Sequence, residues 1–357
     1  MVFTVSSAKT KGKKVPDFNN FRPKAVFTGI LFLLLSVLLA GSLPAKPAKI
    51  KAYSDVSPRT CMSLKEMSSR YGFSSFGVKG KQITMQTRFN TFSMKGDSRR
   101  AEFNKIAVWL SAPIARQWGS WHIRQVDIDR TIWPLLNPDK ALASEEYQIV
   151  VLDPGHGGSD RGAQSRGGLD EKTLTLELAR NVRRILLQYR IDARLTRNSD
   201  RPLQLDERVA IANRWKSSLF ISIHLNAAGS SIPAGIETYI LPPAGYPSTS
   251  GGKTDICDPG VYAGNKHDRA NMVLGYLIQK SMLKYAGGED RGVRRARFVV
   301  LKNIACPAAL LECGFLSNRS EAAKFEKAGH RDKVSRGIAE GIIAYLNAVK
   351  RARQIKP

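Results

Sequence analysis

Four residues of the types that bind metals or move protons stand at the edges of, or inside, apolar stretches of this sequence. His156 follows VVLD in the turn PGHGG, Glu171 opens a long segment of helical periodicity, His224 closes SLFISIH, and Glu312 lies within PAALLECGFL. An unpaired carboxylate inside an apolar strand is costly, so Glu312 needs a reason to be there. Two imidazoles and a carboxylate with an open fourth position make a catalytic zinc site, and a further carboxylate beside them supplies a general base. The residue types therefore predict a zinc hydrolase with His156, Glu171 and His224 as ligands and Glu312 as base. Glycines 155, 157 and 158 would let the backbone turn tightly enough to aim the imidazole. Each residue alone has an ordinary explanation. A lone histidine can be structural, Glu171 can be a favourable charge at a helix start, and Glu312 can be the buried partner of an arginine such as Arg197 or Arg208. Four of them at successive strand ends favour the site.

The elements that must position these residues alternate between strand and helix. QIVVLD reads as a short strand, and Glu171 to Tyr189 places Leu174, Leu178, Val182, Ile185, Leu186 and Tyr189 on one helical face. DARLTR, SLFISIH, GIETYIL, RFVVL and PAALLECGFL read as strands; QLDERVAIANRW and ANMVLGYLIQKSMLKY read as helices. Asn318 with Glu321 is an N-cap signature for the last helices. This alternation predicts an α/β fold with a mainly parallel, helix-covered sheet, in which ligands bind beyond the carboxyl ends of the strands. Pro242 to Asp268 is rich in Gly, Pro and Ser and longer than an ordinary connection.

Upstream, about residues 48–140 read as a small α+β N-terminal domain. SLKEMSSRYG has the spacing of a short helix, and GKQITMQTRFNTFSMKGDSR alternates as two strands do, a pattern that RAEFNKIAVWLSAP continues. Trp109, Trp118, Trp121 and Trp133 fall here, as packing residues or as a ligand platform. Pro138 to Gln148 reads as the connection into a catalytic domain at 141–357. Residues 1–47 hold a basic stretch, the uncharged apolar block Ala25 to Leu43 and the linker PAKP. The block approaches the roughly 20 residues that span a bilayer, and reads as a cleaved secretory signal or a retained inner-membrane anchor. Ser42 stands where a lipidated cysteine would be needed. The formal net charge of +26 on 357 residues predicts a polyanionic environment. Export makes nucleic acid improbable as the polyanion and favours an anionic wall polymer or lipid surface, in the periplasm or cell envelope. If Cys306 and Cys313 share one strand they lie about 23 Å apart, too far to bridge. They, with Cys61 and Cys257, read as small hydrophobes or free thiols.

LDPGHGGSDRGA, LDEK, LTRNSD, LDERVAIAN, SIHLNA and LLECGFLSN occur in an order and spacing that resemble the zinc-dependent N-acetylmuramoyl-L-alanine amidases of the type-3 family, over about residues 148–348. The resemblance implies that the substrate is peptidoglycan and that the bond cut joins the lactyl group of muramic acid to L-alanine. It implies Zn2+ on His156, Glu171 and His224, with Glu312 as the catalytic glutamate. The chain departs from the family pattern in the long Pro242 to Asp268 segment and in Cys313 beside Glu312. Asn226 is a candidate for orienting substrate, with turn capping as its alternative; Arg197 and Arg208 are candidates for substrate carboxylates or for pairing with acids. His267 and His330 read as surface residues. A zinc carboxypeptidase and a wall-binding protein without turnover are the competing expectations, and no motif specifies a regulatory protein partner.

Overall fold

The computed structural model describes residues 60–145, 148–249 and 257–355. The basic stretch and the apolar block at 25–43 lie outside the described residues. Among those described, no helix is long and apolar enough to cross a membrane.

Residues 60–145 form β1 (Cys61–Ser63), α1 (Leu64–Arg70), the meander β2 (Ser75–Lys79), β3 (Gln82–Gln86), β4 (Thr91–Lys95), β5 (Arg100–Phe103) and β6 (Ile106–Trp109), and the hairpin β7 (Ala115–Gln117) and β8 (Ser120–Arg124). Three short helices follow: α2 (Gln125–Asp127), α3 (Trp133–Leu136) and α4 (Pro138–Leu142). The connection expected at 138–148 is therefore partly helical. The rest of the chain runs β9 (Ile149–Pro154), α5 (Glu171–Gln188), β10 (Asp192–Leu195), α6 (Leu205–Arg214), β11 (Leu219–Asn226), β12 (Ile236–Ile240), α7 (Asp268–Ala286), β13 (Asp290–Arg295), α8 (Val299–Lys302), β14 (Ala308–Phe315), α9 (Arg319–Phe325) and α10 (Ala328–Ile355).

An 11-stranded sheet in the order β10-β9-β11-β14-β12-β13-β6-β5-β4-β3-β2 organises the described residues. The strands β10, β9, β11 and β14 are mutually parallel, β12 is antiparallel to β14, and β13 is parallel to β12. The meander joins this sheet through β6, whose Val108 pairs with Val293 of β13. Because strand side chains alternate, the apolar strands feed two cores. Ile221, Ile223, Leu152 and Leu311 face α5, α7 and α10; Val151, Phe220, Leu310 and Tyr239 face α6 and α8. The inner face of the meander, Ile83, Met85, Phe92, Met94 and Phe103, belongs to the first of these cores.

Several expectations change in detail. RFVVL is not a strand: Val299–Lys302 turns as α8 and buries Val300 and Leu301 in the second core, while the strand is the charged DRGVRR just before it. Its neighbours on both sides, not its own alternation, make β13 a strand. Tyr189 leaves the α5 face; it caps the helix and is 47% exposed. The N-cap signature holds, since the Asn318 side chain accepts from the Glu321 N–H at 3.1 Å. The described ends of the Pro242 to Asp268 segment are fastened to the body: Asn265 donates to the Pro242 carbonyl at 3.0 Å and Thr249 N donates to the Arg295 carbonyl at 2.8 Å. Cys257, Cys306 and Cys313 are free thiols, the last two buried.

The helices α7 and α10 meet where Gly341 admits a close backbone approach: a Cβ there would lie 2.6 Å from the Ile278 Cα. Gly341→Val should therefore lower the unfolding free energy by about 1–3 kcal/mol in urea titrations. Gly329→Ala, at a helical position with nothing within 4 Å, should not lower it and should raise it by at most about 1 kcal/mol.

Candidate functional site

Three chain segments meet at the carboxyl ends of β9 and β11. The strand β9 ends at Pro154 and hands the chain to the glycine turn carrying His156; β11 carries His224 near its end; α5 begins with Glu171. Glu171 is 3% exposed. Its Oε2 lies 3.1 Å from His156 Nε2 and its Oε1 lies 2.9 Å from His224 Nδ1. One donor atom from each of the three lies within 4.8 Å of the others. The carboxylate also accepts backbone N–H bonds from Ala163 at 2.7 Å and Leu225 at 3.0 Å. Burial works against ionisation of Glu171, yet the flanking imidazoles outweigh it and hold the carboxyl below the ordinary range. For His156 burial opposes the charged form, and Glu171 with Asp160 overcomes it, so the imidazole is raised.

The loop around His156 is held by groups that the sequence alone does not assign. Asp160 lies 2.8 Å from His156 Nδ1, which leaves Nε2 directed to the three-residue cluster. Such a carboxylate fixes the ring orientation and the tautomer of a metal-binding histidine. Gly162 packs against the cluster itself: with φ +67, a Cβ there would lie 2.5 Å from Glu171 Oε2 and 2.6 Å from His156 Cδ2. No side chain larger than hydrogen fits there.

Glu312 stands in the next strand. It is the β14 partner of His224 on β11 and of Glu237 on β12, so the three side chains share one sheet face. Its Oε2 is buried and has no hydrogen-bond partner among the described residues. Burial, and then the Glu171 and Glu237 carboxylates, push Glu312 well above the ordinary glutamate range. A carboxyl kept in this condition suits proton transfer. Asn226 donates to Glu237 Oε1 at 2.7 Å, so one of its groups is engaged and its acceptor oxygen is left.

Of the roles considered for Arg197 and Arg208, pairing with an acid is the one Arg208 takes. The two arginines are 1% and 3% exposed. Arg197 donates to the carbonyls of Pro154 (3.1 Å), Gly155 (2.7 Å) and Lys172 (2.9 Å). Arg208 pairs with buried Asp153 at 2.9 Å and donates to the carbonyls of Pro154 and His156. Neither pairs with Glu312; a strand end followed by a glycine turn leaves buried carbonyls that need donors, and these two guanidiniums supply them. Burial and the neighbouring Arg208 pull Arg197 down to about 10. His267 is also not a surface residue, since it pairs with Glu145 at 3.2 Å with a side chain 19% exposed. The His330 ring stacks edge-on against Phe325.

Glu237 went unassigned although it carries the signal that singled out Glu312, a carboxylate in an apolar strand. It is 1% exposed and accepts from Arg291 (3.0 Å), Arg294 (2.8 Å), Tyr239 (3.0 Å) and Asn226. Of the four tryptophans near the N-terminus, Trp109 packs under Arg294, with 4.9 Å between guanidinium carbon and ring centroid, and Trp118 is exposed.

Arg208→Met removes the only cation paired with Asp153 among the described residues and takes a donor from the Pro154 and His156 carbonyls. It should destabilise the fold by about 3–5 kcal/mol in denaturant titration. A change below about 1 kcal/mol would contradict the structural role.

The model of the N-acetylmuramoyl-L-alanine amidase family Amidase_3 matches residues 150–344, more than half of the chain. The N-acetylmuramoyl-L-alanine amidase AmiA of Escherichia coli (strain K12) is 36% identical over 230 residues, covering 58% of this chain and 79% of that protein. The N-acetylmuramoyl-L-alanine amidase CwlM of Bacillus licheniformis is 37% identical over 205 residues, covering 57% of this chain and 70% of its own. The solved catalytic domain of CwlV, an N-acetylmuramoyl-L-alanine amidase from Bacillus (Paenibacillus) polymyxa var. colistinus, aligns with a TM-score of 0.47 at 33% identity, over 56% of this chain and 99% of that one. The segment that matches contains every strand and helix bearing the four residues described above. The chain belongs to the N-acetylmuramoyl-L-alanine amidase family Amidase_3.

Proposed function

We propose that this chain is a zinc-dependent hydrolase of peptidoglycan that cuts the amide between the lactyl group of N-acetylmuramic acid and L-alanine. The observation that carries the proposal is the donor set: His156, Glu171 and His224 converge on one point, and Glu312, whose buried Oε2 has no partner among the described residues, stands in register with His224. The donors fit zinc. Two imidazoles and one carboxylate are the ligands of open zinc sites, and Asp160 orients one imidazole as a second layer of support. Bound there, Zn2+ supplies Lewis acidity, which polarises an amide carbonyl and makes water a better nucleophile near neutral pH.

The protein's own groups carry the remaining steps. Glu312 takes the proton of the attacking water and delivers it to the nitrogen of the departing L-alanine, which leaves as an amine rather than as an amide anion. Its burial keeps the proton acceptor out of bulk solvent, where a carboxylate would be a weaker base. Asn226, fastened to Glu237, offers its oxygen to a substrate N–H. The cluster sits at the strand ends with His156 24% and His224 18% exposed, so the ligands are open to an incoming chain on one side.

The protein works outside the cytoplasm, with residues 25–43 as a signal or an anchor. The +26 charge holds it near anionic wall polymers or lipid, an attraction that weakens with salt. Residues 48–140 serve as an accessory unit to a catalytic region at 141–357.

Digestion of purified muropeptides followed by mass spectrometry tests the reaction. Release of intact stem peptide from the sugar is expected; a shortened peptide would indicate a carboxypeptidase, and no product a binding protein. Glu312→Gln should lower kcat by at least about a hundredfold, the usual scale of a lost general base, with zinc still bound at one equivalent. His156→Ala should lose the zinc itself, measured by metal analysis after dialysis, while the circular dichroism spectrum is unchanged.

A further inference from the structure

The row of functional side chains does not end at Glu312. Across β11, β14 and β12 the register aligns His224, Glu312 and Glu237 on one face. On β13, Gly292 is the partner of Glu237 and Arg294 the partner of Tyr239, so Arg294 shares that face. Val293 pairs with Val108 of β6, and the next residue, Trp109, lies against Arg294. The row therefore continues out of the segment that matches the family, which begins at residue 150, into the N-terminal meander.

Charge along this row is unbalanced. Glu237 is one carboxylate facing two guanidiniums, Arg291 and Arg294, whose side chains are 25% and 13% exposed. The next acid, Asp290, is engaged by Gln279, Gly292 N and Ala107 N. Neither arginine is saturated. Arg294 gives Nη1 to Glu237 and Nη2 to the Thr249 carbonyl at 3.3 Å, and its buried Nε has no partner among the described residues; Arg291 uses Nε on Glu237 and Nη1 on the Ala234 carbonyl, with no acceptor on Nη2 among the described residues. Both are held flat by aromatic rings: Arg291 over Phe315 at 4.9 Å, Arg294 over Trp109 at 4.9 Å and over Tyr239 at 5.8 Å. Trp109 also donates its indole N–H to the Arg291 carbonyl at 2.9 Å, so one side chain braces both arginines. A preorganised pair of planar cations, with Arg291 Nη2 unengaged, matches a carboxylate, which accepts from a guanidinium in charge-assisted hydrogen bonds.

We propose that Arg291 and Arg294 form a subsite for a carboxylate on the peptide part of the substrate, and that Trp109 is the positioning residue that holds them for it. This rests on the amidase reading. In the intact substrate the lactyl carboxyl is tied up in the amide, so the carboxylates are those of the peptide, and the hydroxyl and acetamide groups of the sugar offer the guanidiniums no anion; a lactyl carboxylate appears only in the product. The N-terminal meander is then a specificity element: it supplies the brace for a subsite on the row that carries Glu312.

Two muramyl peptides, one with free peptide carboxylates and one with them converted to primary amides, test this on the full-length zinc-loaded protein. Wild type should favour the free acid by about tenfold or more in kcat/KM, the scale of one charge-assisted hydrogen bond. Arg291→Gln and Arg294→Gln should raise KM for the free acid by about tenfold and bring the ratio between the two substrates toward one. Trp109→Ala should compress the ratio likewise and Trp109→Phe should restore it. Equal cleavage of both substrates by wild type overturns the subsite without any variant being made. So does an unchanged ratio in the arginine variants with kcat reduced on both substrates alike, the mark of a purely structural pair. If wild type cleaves neither substrate at the lactyl amide, the amidase reading itself falls and the subsite with it.

Discussion

A carboxylate that is 3% exposed must find its compensation inside the protein. Glu171 finds it in two imidazoles and two backbone N–H groups, and each of these contacts constrains a different part of the chain. The imidazoles tie the β9 turn and the end of β11 to the start of α5. The Ala163 N–H ties down the loop between His156 and Glu171, and the Leu225 N–H fixes the rotation of β11 relative to the helix. The loop must pass so close that Gly162 has no room for a side chain. Its carbonyls then point inward, and Arg197 with Arg208 is buried to receive them. Removing the carboxylate would leave two facing imidazoles and a loop with no reason to close. The density of polar groups here follows from one buried charge.

The sheet sorts two further carboxylates into different roles by what stands opposite each. Glu312 and Glu237 are direct partners on adjacent strands. Glu237 has arginines, a tyrosine and an asparagine around it; Glu312 has an orphaned oxygen, with Glu171 and Glu237 as its nearest charges. Glu237 is held in place by its four donors, whereas burial and the neighbouring carboxylates raise Glu312, a condition suited to proton exchange. Glu312 stands one strand from His224 and Glu237 two, so the division arises from strand order and not from sequence neighbourhood.

This explains what could be read in the sequence and what could not. His156, Glu171, His224 and Glu312 each interrupt a local pattern, a strand end or an apolar run, so chemistry shows through the hydrophobic signal. The helices α5 and α7 are long and periodic, and the strands β9, β11 and β14 are apolar throughout, which made the parallel core of the sheet legible. β13 was not, because DRGVRR has neither alternation nor apolar content and is a strand only through its neighbours β12 and β6. For Arg197 and Arg208 the sequence left pairing with an acid and contact with a substrate carboxylate as alternatives. An arginine in a loop or on an amphipathic helix looks solvated, and only the fold reveals that a glycine turn has left carbonyls for it to cover. His267 gave no sign of Glu145, 122 residues away. Glu237 carried the same signal as Glu312 but had no motif around it.

The junction of β6 with β13 shows why the N-terminal strands belong to the physics of the site. Without β6, β13 would present an open strand edge, and its charged sequence could not be buried by a helix. The pairing is short, Val293 with Val108, and is reinforced by Asp290 accepting the Ala107 N–H at 2.7 Å and by the Trp109 indole on Arg291. Each reinforcing contact falls on the strand that carries Arg291 and Arg294. Moving β6 would therefore shift the guanidiniums relative to Glu237, and Glu237 is fixed by its pairing with Glu312. The meander's inner face shares a core with α7, so it cannot slide without disturbing the packing behind the sheet. Two independent constraints, a core on one side and an ion cluster on the other, thus hold a segment outside the family's matched range in register with the residues inside it.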